Sequence, residues 1–382
     1  MYAIKDLSAG NREIRAAKSA FFAGGFAMST WAPMIPYIKT GLSISADVLG
    51  MLLLSIGLSA FICMPAAGIL ARHFGCRAVI TGATLVMAAV LVLLPVLPAL
   101  WCYFPILFMF GAALGTLDVA MNLNSVVVER VSGKRILSAV HGFWSIGCFI
   151  GAGLFILLAK TGLSVPFIAL IHAALILSAA FFFYPHLLPF RGDGGHKALS
   201  TPRGIVLILG IMTCCTFLAE GAIMDWAGVL LNEAKNVPLE EAGLGFTVYS
   251  AAMLTMRLIG DRIVARLGEK PVAVGGSLIA AAGFAGINLA SSLPVILPCF
   301  LLLGIGLANV VPVIYSLLAH QDDMPVDSAV TVLTTMGYSG VILGPSLLGF
   351  LAQHAGLLSV FYMLAAFLLI QAAGAVLVLK TK

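Results

Sequence analysis

The sequence predicts an all-α polytopic membrane protein, in which twelve transmembrane helices form two pseudo-symmetric six-helix bundles around a central cavity. Of its 382 residues, 61% are apolar and only 10% are charged, whereas soluble proteins carry about 25% charged residues. The mean hydropathy is +1.09. Apolar runs long enough to cross a bilayer follow one another along the chain, and short motifs recur at an offset near half its length. This composition excludes a soluble enzyme, a disordered protein and a secreted disulfide scaffold.

Helices are the expected spanning elements because backbone polar groups left unpaired in lipid are costly. A spanning helix needs about 20 mainly apolar residues. The segments that meet this requirement are 17–38, 46–70, 77–97, 101–127, 137–159, 164–185, 204–231, 243–265, 271–290, 294–318, 328–352 and 357–379. Most are joined by tight turns, so we expect the chain to cross the membrane twelve times.

The basic residues predict an orientation. The chain has 21 Lys and Arg residues, and all but three of them fall at the termini or near the even-numbered turns. Arg257 is counted with this larger group. Lys39, Lys160 and Lys235 fall on the other side. Basic residues mark the cytoplasmic side, so both termini are expected in the cytoplasm of a bacterial inner (plasma) membrane. This placement accounts for the net charge of +5 without a nucleic-acid partner.

The chain repeats several motifs. Trp31-Ala32 recurs as Trp226-Ala227 after 195 residues, and Gly147-x-x-x-Gly151 recurs as Gly340-x-x-x-Gly344 after 193 residues. We expect these glycines to allow close helix contact. Two six-span halves of this kind suggest a cavity on the pseudo-two-fold axis and alternating access by rocking of the halves. The predicted domains are an N-terminal bundle at 1–188, a flexible cytoplasmic linker at 189–203 and a C-terminal bundle at 204–382.

Asp118 and Glu220 are the predicted proton-coupling residues. A charge inside a membrane span is expensive and usually faces a cavity, where a carboxylate can take up and release protons near neutral pH. Asn122 lies four residues after Asp118 and therefore on the same helix face. The alternative for each acid is a structural hydrogen bond or ion pair with a neighbouring helix.

Other polar and aromatic side chains within the spans are candidates for contact with a solute. Their alternative role is packing or helix capping, and His141 is close enough to a span end that both roles stay open. The predicted substrate-binding residues are Trp31, Asn122, Asn124, His141, Trp144, Asp225, Asn309, Tyr315 and Tyr338.

The sequence has no metal-ligand cluster, phosphate-binding loop or nucleophile–base pair. Its seven cysteines are scattered and lack metal-binding spacing. We therefore expect no enzyme activity, no metal and no cofactor. The expected partners are a small-molecule substrate, protons and the lipid bilayer, and the expected state is a monomer.

The turn after the second span resembles a signature of the major facilitator superfamily. Gly68, Gly75 and Arg77 fit that cytoplasmic gate motif, but Arg72 stands where the family usually has an aspartate. The second half keeps an acidic version at Asp261-Arg262. The resemblance implies the twelve-helix fold, and the change at Arg72 puts the family's cytoplasmic lock in doubt.

Two further resemblances bear on function. Asp118-x-Ala120-x-Asn122 is similar to a motif of the fucose permeases, in which the acid is associated with proton coupling. The runs 141–145 and 220–226 look more like a group of uncharacterised bacterial permeases. Together they imply a secondary active transporter, with proton-coupled symport of a small polar or sugar-like solute expected first. Proton-coupled efflux of lipophilic compounds and a non-transporting sensor or scaffold are the alternatives, and the solute stays open.

Overall fold

The computed structural model describes residues 9–134, 136–191, 201, 203–319, 321, 323–324 and 326–378. These residues are almost entirely helical, and none of them forms a β-strand. The predicted all-helical membrane fold is therefore confirmed. Most of the predicted linker, at 192–200 and 202, lies outside the described residues.

The helices follow one another with short connections. Those before the predicted linker are α1 (Asn11–Leu42), α2 (Ala46–Phe74), α3 (Cys76–Leu93), α4 (Leu100–Ser132), α5 (Leu137–Lys160) and α6 (Val165–Phe183). Those after it are α7 (Gly204–Val229), α8 (Leu244–Leu267), α9 (Glu269–Leu289), α10 (Leu293–Leu307), α11 (Val310–Ala319), α12 (Val326–Ala355) and α13 (Leu357–Val378). Single 3₁₀ turns follow α3 and α6, and a π turn extends α7 to Ala234.

Ten helical segments of the described chain are long and apolar enough to cross a membrane. One of them, Leu293–Leu318, joins α10 and α11, and α8 contributes a shorter apolar helix at Leu244–Gly260. α1 is not among the ten, although it is 32 residues long, because glycine, alanine, serine and proline replace long aliphatic residues in it. The count of twelve spans stays a prediction for this reason.

Contacts between residues divide the chain into two compact units. One consists of Met1–Ser43 with Leu52–Gly195, and the other of Ile44–Met51 with His196–Lys382. The first turn of α2 therefore belongs to the second unit. Within that unit, the Ala46 amide donates a hydrogen bond to Gln353 Oε1 at 3.2 Å.

The repeated glycines bring helix backbones together within each unit. α1 packs along α5 in the first unit, and α7 packs along α12 in the second. A Cβ atom added at Gly147 would lie 2.3 Å from the Phe22 carbonyl oxygen, and one at Gly340 would lie 2.4 Å from the Cys214 carbonyl oxygen. No side chain fits in either gap, so the predicted close helix contact at these glycines is confirmed.

Candidate functional site

In the first unit, a polar pair lies in the middle of α4. Asp118 is about 27 Å from the start of α4 and about 21 Å from its end, at 1.5 Å per residue. The Asn122 amide donates to Asp118 Oδ1 at 3.2 Å and to the Asp118 carbonyl oxygen at 2.9 Å. Both side chains are partly buried. The two predicted residues therefore form one polar group, as their spacing of four residues requires.

The aromatic residues of α5 lie against α1. A Cβ atom added at Gly24 would lie 2.6 Å from Trp144 Cζ3, so this glycine makes room for the indole ring. The exposed His141 ring meets the Phe21 ring edge-on, with centroids 5.0 Å apart. Trp144 is partly buried. The structure thus places both predicted residues of α5 along the α1 contact.

Trp31 and Asn124 are buried among other side chains of the first unit. Trp31 is 1% exposed, and its ring centroid lies 6.4 Å from that of Phe110. Asn124 is fully buried and donates to the Leu188 carbonyl oxygen at 3.0 Å. This geometry favours packing roles, and contact of these two residues with a solute stays a prediction.

The residues that resemble the gate motif connect α2, α3 and the chain after α6. Gly75 has a φ of +84°, a conformation that favours glycine, at the turn between α2 and α3. The Arg77 Nε–H donates to the Leu187 carbonyl oxygen at 2.7 Å. Arg72 is exposed near the end of α2, and a Cβ atom added at Gly68 in α2 would meet nothing within 4 Å. In this chain Arg77 therefore fastens the segment after α6 to α3.

In the second half, Arg262 is exposed in α8, and the side chain of Asp261 lies outside the described residues. The acidic version of the motif therefore stays a prediction.

In the second unit, Glu220 of α7 interacts electrostatically with Arg257 of α8. Glu220 lies about 24 Å along α7 from Gly204. Arg257 lies about 20 Å from the start of α8 and about 15 Å from its end. Arg257 thus lies within α8, as the predicted span 243–265 places it, and its assignment to the cytoplasmic side stays a prediction.

The span that contains Asn309 is broken. α10 ends at Leu307 and α11 begins at Val310. Pro312 explains the break, because proline has no N–H and its ring clashes with the carbonyl four residues earlier, at Ala308. The Asn309 amide donates to the Met256 carbonyl oxygen at 3.3 Å. Asn309 is therefore held beside the residue that precedes Arg257.

The Asn309 side chain lies against α8 at Gly260, where the absence of a side chain leaves room for it. A Cβ atom added at Gly260 would lie 2.1 Å from Asn309 Oδ1. In the sequence Gly260 was assigned only to the acidic version of the gate motif, Gly260-Asp261-Arg262, and the helix break was not predicted. The signal that predicts the break is the proline at 312, inside an apolar span.

The remaining predicted residues of the second unit have these positions. The Tyr315 hydroxyl lies 3.0 Å from Thr334 Oγ1 and joins α11 to α12. The Tyr338 ring meets the Phe217 ring edge-on at 6.0 Å. Asp225 is 7% exposed, five residues after Glu220 in α7. Tyr338 thus lies near α7 one turn before Glu220, whereas Asp225 is more deeply buried.

A metal site finds no support among the described residues, which contain no group of three or more His, Cys, Asp or Glu suited to hold an ion. The chemistry that these residues offer consists of hydrogen bonds, aromatic contacts, and carboxylate and guanidinium charges inside membrane helices. Such groups mark solute and proton pathways in membrane proteins.

Comparison with known proteins agrees with this description. A family model described as Major Facilitator Superfamily matches residues 209–382. An uncharacterised MFS-type transporter of Yersinia pestis is 39% identical over 362 residues, which cover 93% of each chain. The membrane protein MosC of Rhizobium meliloti is 31% identical over 347 residues, which cover 90% of this chain and 84% of MosC.

Solved structures share the fold. A mutant of the nucleoside transporter NupG has a TM-score of 0.79 at 15% identity, with 97% of this chain and all of NupG covered. The human organic anion transporter MFSD10 has a TM-score of 0.63 at 16% identity, with 95% of this chain and 99% of MFSD10 covered.

Proposed function

Because the chain belongs to the major facilitator superfamily, a family of secondary transporters and not of enzymes, we propose that it carries a small polar or sugar-like solute across the membrane by proton-coupled symport. Alternating access is the proposed mode of transport. The proposed setting is a bacterial inner membrane, with a monomer whose termini both lie in the cytoplasm.

The observation that carries this proposal is the Asp118–Asn122 pair in the middle of α4. A carboxylate at this depth is costly unless it meets water, a partner or a proton. A protonated Asp118 is neutral, so the side chain can be held in a low-dielectric, water-free environment at lower cost than the carboxylate. Protonation therefore switches Asp118 between a charged and a neutral form, and Asn122 offers a hydrogen bond to both forms.

The other residues have supporting roles in the proposal. Glu220 is the second acid, and it interacts electrostatically with Arg257. Trp144, Tyr315 and Tyr338 supply aromatic surface and hydroxyl groups for a polar solute. His141 and Asp225 are secondary candidates for solute contact.

The solute is sought first by a thermal-shift screen of purified protein in detergent, at two pH values. The library combines sugars, sugar acids, nucleosides, amino acids and lipophilic cations. A ligand at 100 times its Kd stabilises the folded state by about 2.7 kcal/mol, which gives a readable shift. Hits confined to lipophilic cations would favour efflux in place of symport.

The proton-coupling role of Asp118 is tested with the solute that the screen identifies. Asp118→Asn protein in liposomes is expected to lose uphill accumulation on a pH gradient and to keep solute exchange at equal concentrations. Asp47→Asn is the matched control, because Asp47 bonds to Ser45 at the start of α2. An Asp118→Asn protein that still accumulates solute on the gradient would refute the role.

A further inference from the structure

The first unit has a groove between α3 and α6, with a volume of about 760 Å³. Arg77, Thr81 and Leu85 line it from α3 at intervals of four residues, so they share one face of that helix. Leu177 and Phe181 line it from α6. The groove therefore extends about 12 Å along α3 from Arg77, at 1.5 Å per residue.

The apolar part of this groove is exposed on two helices that are long and apolar enough to cross a membrane, Cys76–Val96 and Val165–His186. Leu85, Leu177 and Phe181 are 50%, 40% and 76% exposed. Lipid tails are as apolar as leucine, so exposed side chains of this kind on a membrane helix contact acyl chains. An acyl chain is therefore the occupant that suits the apolar part of the groove.

Arg77 lies at the other, polar end of the groove. It is the second residue of α3, and a long basic side chain near a helix end extends to the depth of the lipid headgroups. Its Nε–H donates to the Leu187 carbonyl oxygen at 2.7 Å, which holds the guanidinium in place. Guanidinium carries five N–H groups, and the other four have no hydrogen-bond acceptor within the part of the chain that the structure describes. A phosphate can accept two parallel hydrogen bonds from such a group.

Two more arginines lie near the start of α3. Arg72 is three residues before Gly75, the residue that precedes α3, and the Cγ atom of Arg191 would lie 3.9 Å from a Cβ atom added at Gly75. Both arginines are exposed, and neither has an ion pair or a side-chain hydrogen bond among the described residues. Basic pockets between membrane helices bind phospholipid headgroups. The charge at this end of the groove therefore complements an anionic headgroup.

We propose that the groove between α3 and α6 binds an anionic phospholipid, with the phosphate on Arg77 and one acyl chain along Leu85 and Leu177. Planar guanidinium suits a phosphate better than a lysine does, because the two can pair through two hydrogen bonds. A zwitterionic lipid offers the same acyl chains, but its headgroup brings a positive charge next to the arginines. The site therefore selects lipids by headgroup charge, and this inference is independent of the transported solute and of proton coupling.

A second groove of the first unit serves as an internal control. It lies between α2, α3 and α4, has a volume of about 510 Å³, and has no charged side chain among the described residues that line it. Met109 of α4 is one of these residues and is 47% exposed. We expect this groove to contact acyl chains without preference for a headgroup.

The test is native mass spectrometry of the full chain in detergent, titrated with dioleoyl-phosphatidylglycerol, dioleoyl-phosphatidylcholine or inorganic phosphate. Arg77→Gln removes the headgroup contact, and its control is Arg130→Gln, which removes the same charge from an exposed arginine at the end of α4. Leu177→Trp fills the groove and keeps Arg77, and its control is Met109→Trp in the second groove. Leu177→Trp also decides the test if Arg77→Gln does not fold, because Leu177 is an exposed residue.

Phosphatidylglycerol is expected to bind with a lower Kd than phosphatidylcholine. Arg77→Gln is expected to raise the Kd for phosphatidylglycerol at least about tenfold, as loss of a charge-assisted hydrogen bond does. Leu177→Trp is expected to raise it at least about threefold, because a filled groove forfeits the contacts of the acyl chain. Both control variants should keep the parent Kd.

Three results would overturn the inference. Equal Kd values for the two lipids would show that headgroup charge is not read. A Kd for phosphatidylglycerol that stays at the parent value in Arg77→Gln, or in Leu177→Trp, would place the lipid elsewhere. Inorganic phosphate that binds as tightly as phosphatidylglycerol and depends on Arg77 would make this a site for free phosphate, without an acyl chain in the groove.

Discussion

Gly260→Ala changes one atom at the contact between α8 and the broken span. The added Cβ would lie 2.1 Å from Asn309 Oδ1 and 2.9 Å from Asn309 Cγ. Ordinary contacts between such atoms exceed about 3.4 Å, since carbon pairs are optimal at about 3.5–4.0 Å. The Asn309 amide must therefore move by about 1 Å, which breaks its 3.3 Å hydrogen bond to the Met256 carbonyl oxygen.

The size of the effect follows from burial and helix propensity. Asn309 is 6% exposed, so an amide without its acceptor costs about 1–3 kcal/mol. Alanine is favoured over glycine in a helix by about 1 kcal/mol, which offsets part of that cost. We expect Gly260→Ala to lower the free energy of unfolding by about 0–2 kcal/mol and to weaken solute transport, because Asn309 is a predicted solute contact.

The assay is equilibrium unfolding in mixed detergent micelles, with solute uptake measured in parallel. Gly275→Ala in α9 is the matched control, because an added Cβ meets nothing within 4 Å there. Asn309→Ala removes the obstructing atoms, so Gly260→Ala is expected to cost at least about 1 kcal/mol less in that background. Additive effects, within about 0.5 kcal/mol, would refute the reasoning, since distant and independent sites add in that way.

Two further predictions separate packing from binding. Gly147→Ala is expected to destabilise the α1–α5 contact by about 1–3 kcal/mol, as overpacking does. Gly142→Ala is the control, because a Cβ atom added there meets nothing within 4 Å, and it is expected to be neutral or stabilising. Equal unfolding free energies of the two variants would contradict this prediction. Asn124→Ala leaves the Leu188 carbonyl oxygen without its donor and is expected to cost about 1–3 kcal/mol. Solute Kd should stay unchanged in Asn124→Ala, and a Kd raised tenfold in a folded protein would instead favour solute contact.

The spacing of residues along one helix was enough to predict the Asp118–Asn122 pair of the candidate site. Asp118 and Asn122 meet because four residues make slightly more than one helical turn, so no tertiary information is needed. The glycines at 147 and 340 were predicted from the repeat, because only small residues let two helix backbones approach. Periodicity and residue size therefore account for the features that depend on a single helix or on a simple contact.

Tertiary packing decides the features that the sequence analysis missed. Arg257 was predicted inside the span 243–265 and on its cytoplasmic side, but hydropathy does not show which charge of another helix it faces. Its electrostatic interaction with Glu220 depends on the packing of α7 against α8. Asn309 was proposed as a solute contact, but its acceptor on α8 becomes visible only when α10, α11 and α8 are placed together.

The internal repeat explains why one half does not predict the chemistry of the other. At the repeat offsets of 195 and 193 residues, Glu220 corresponds to Gly25 and Arg257 to Met64. At an offset of 191 residues, Asp118 corresponds to Asn309, an amide that packs on α8. The duplicated positions preserve backbone contacts, since glycines serve both the α1–α5 and the α7–α12 pairs. The charges have no counterpart across the repeat, so the proposed proton coupling at Asp118 and a role of Glu220 are independent hypotheses that separate variants can test.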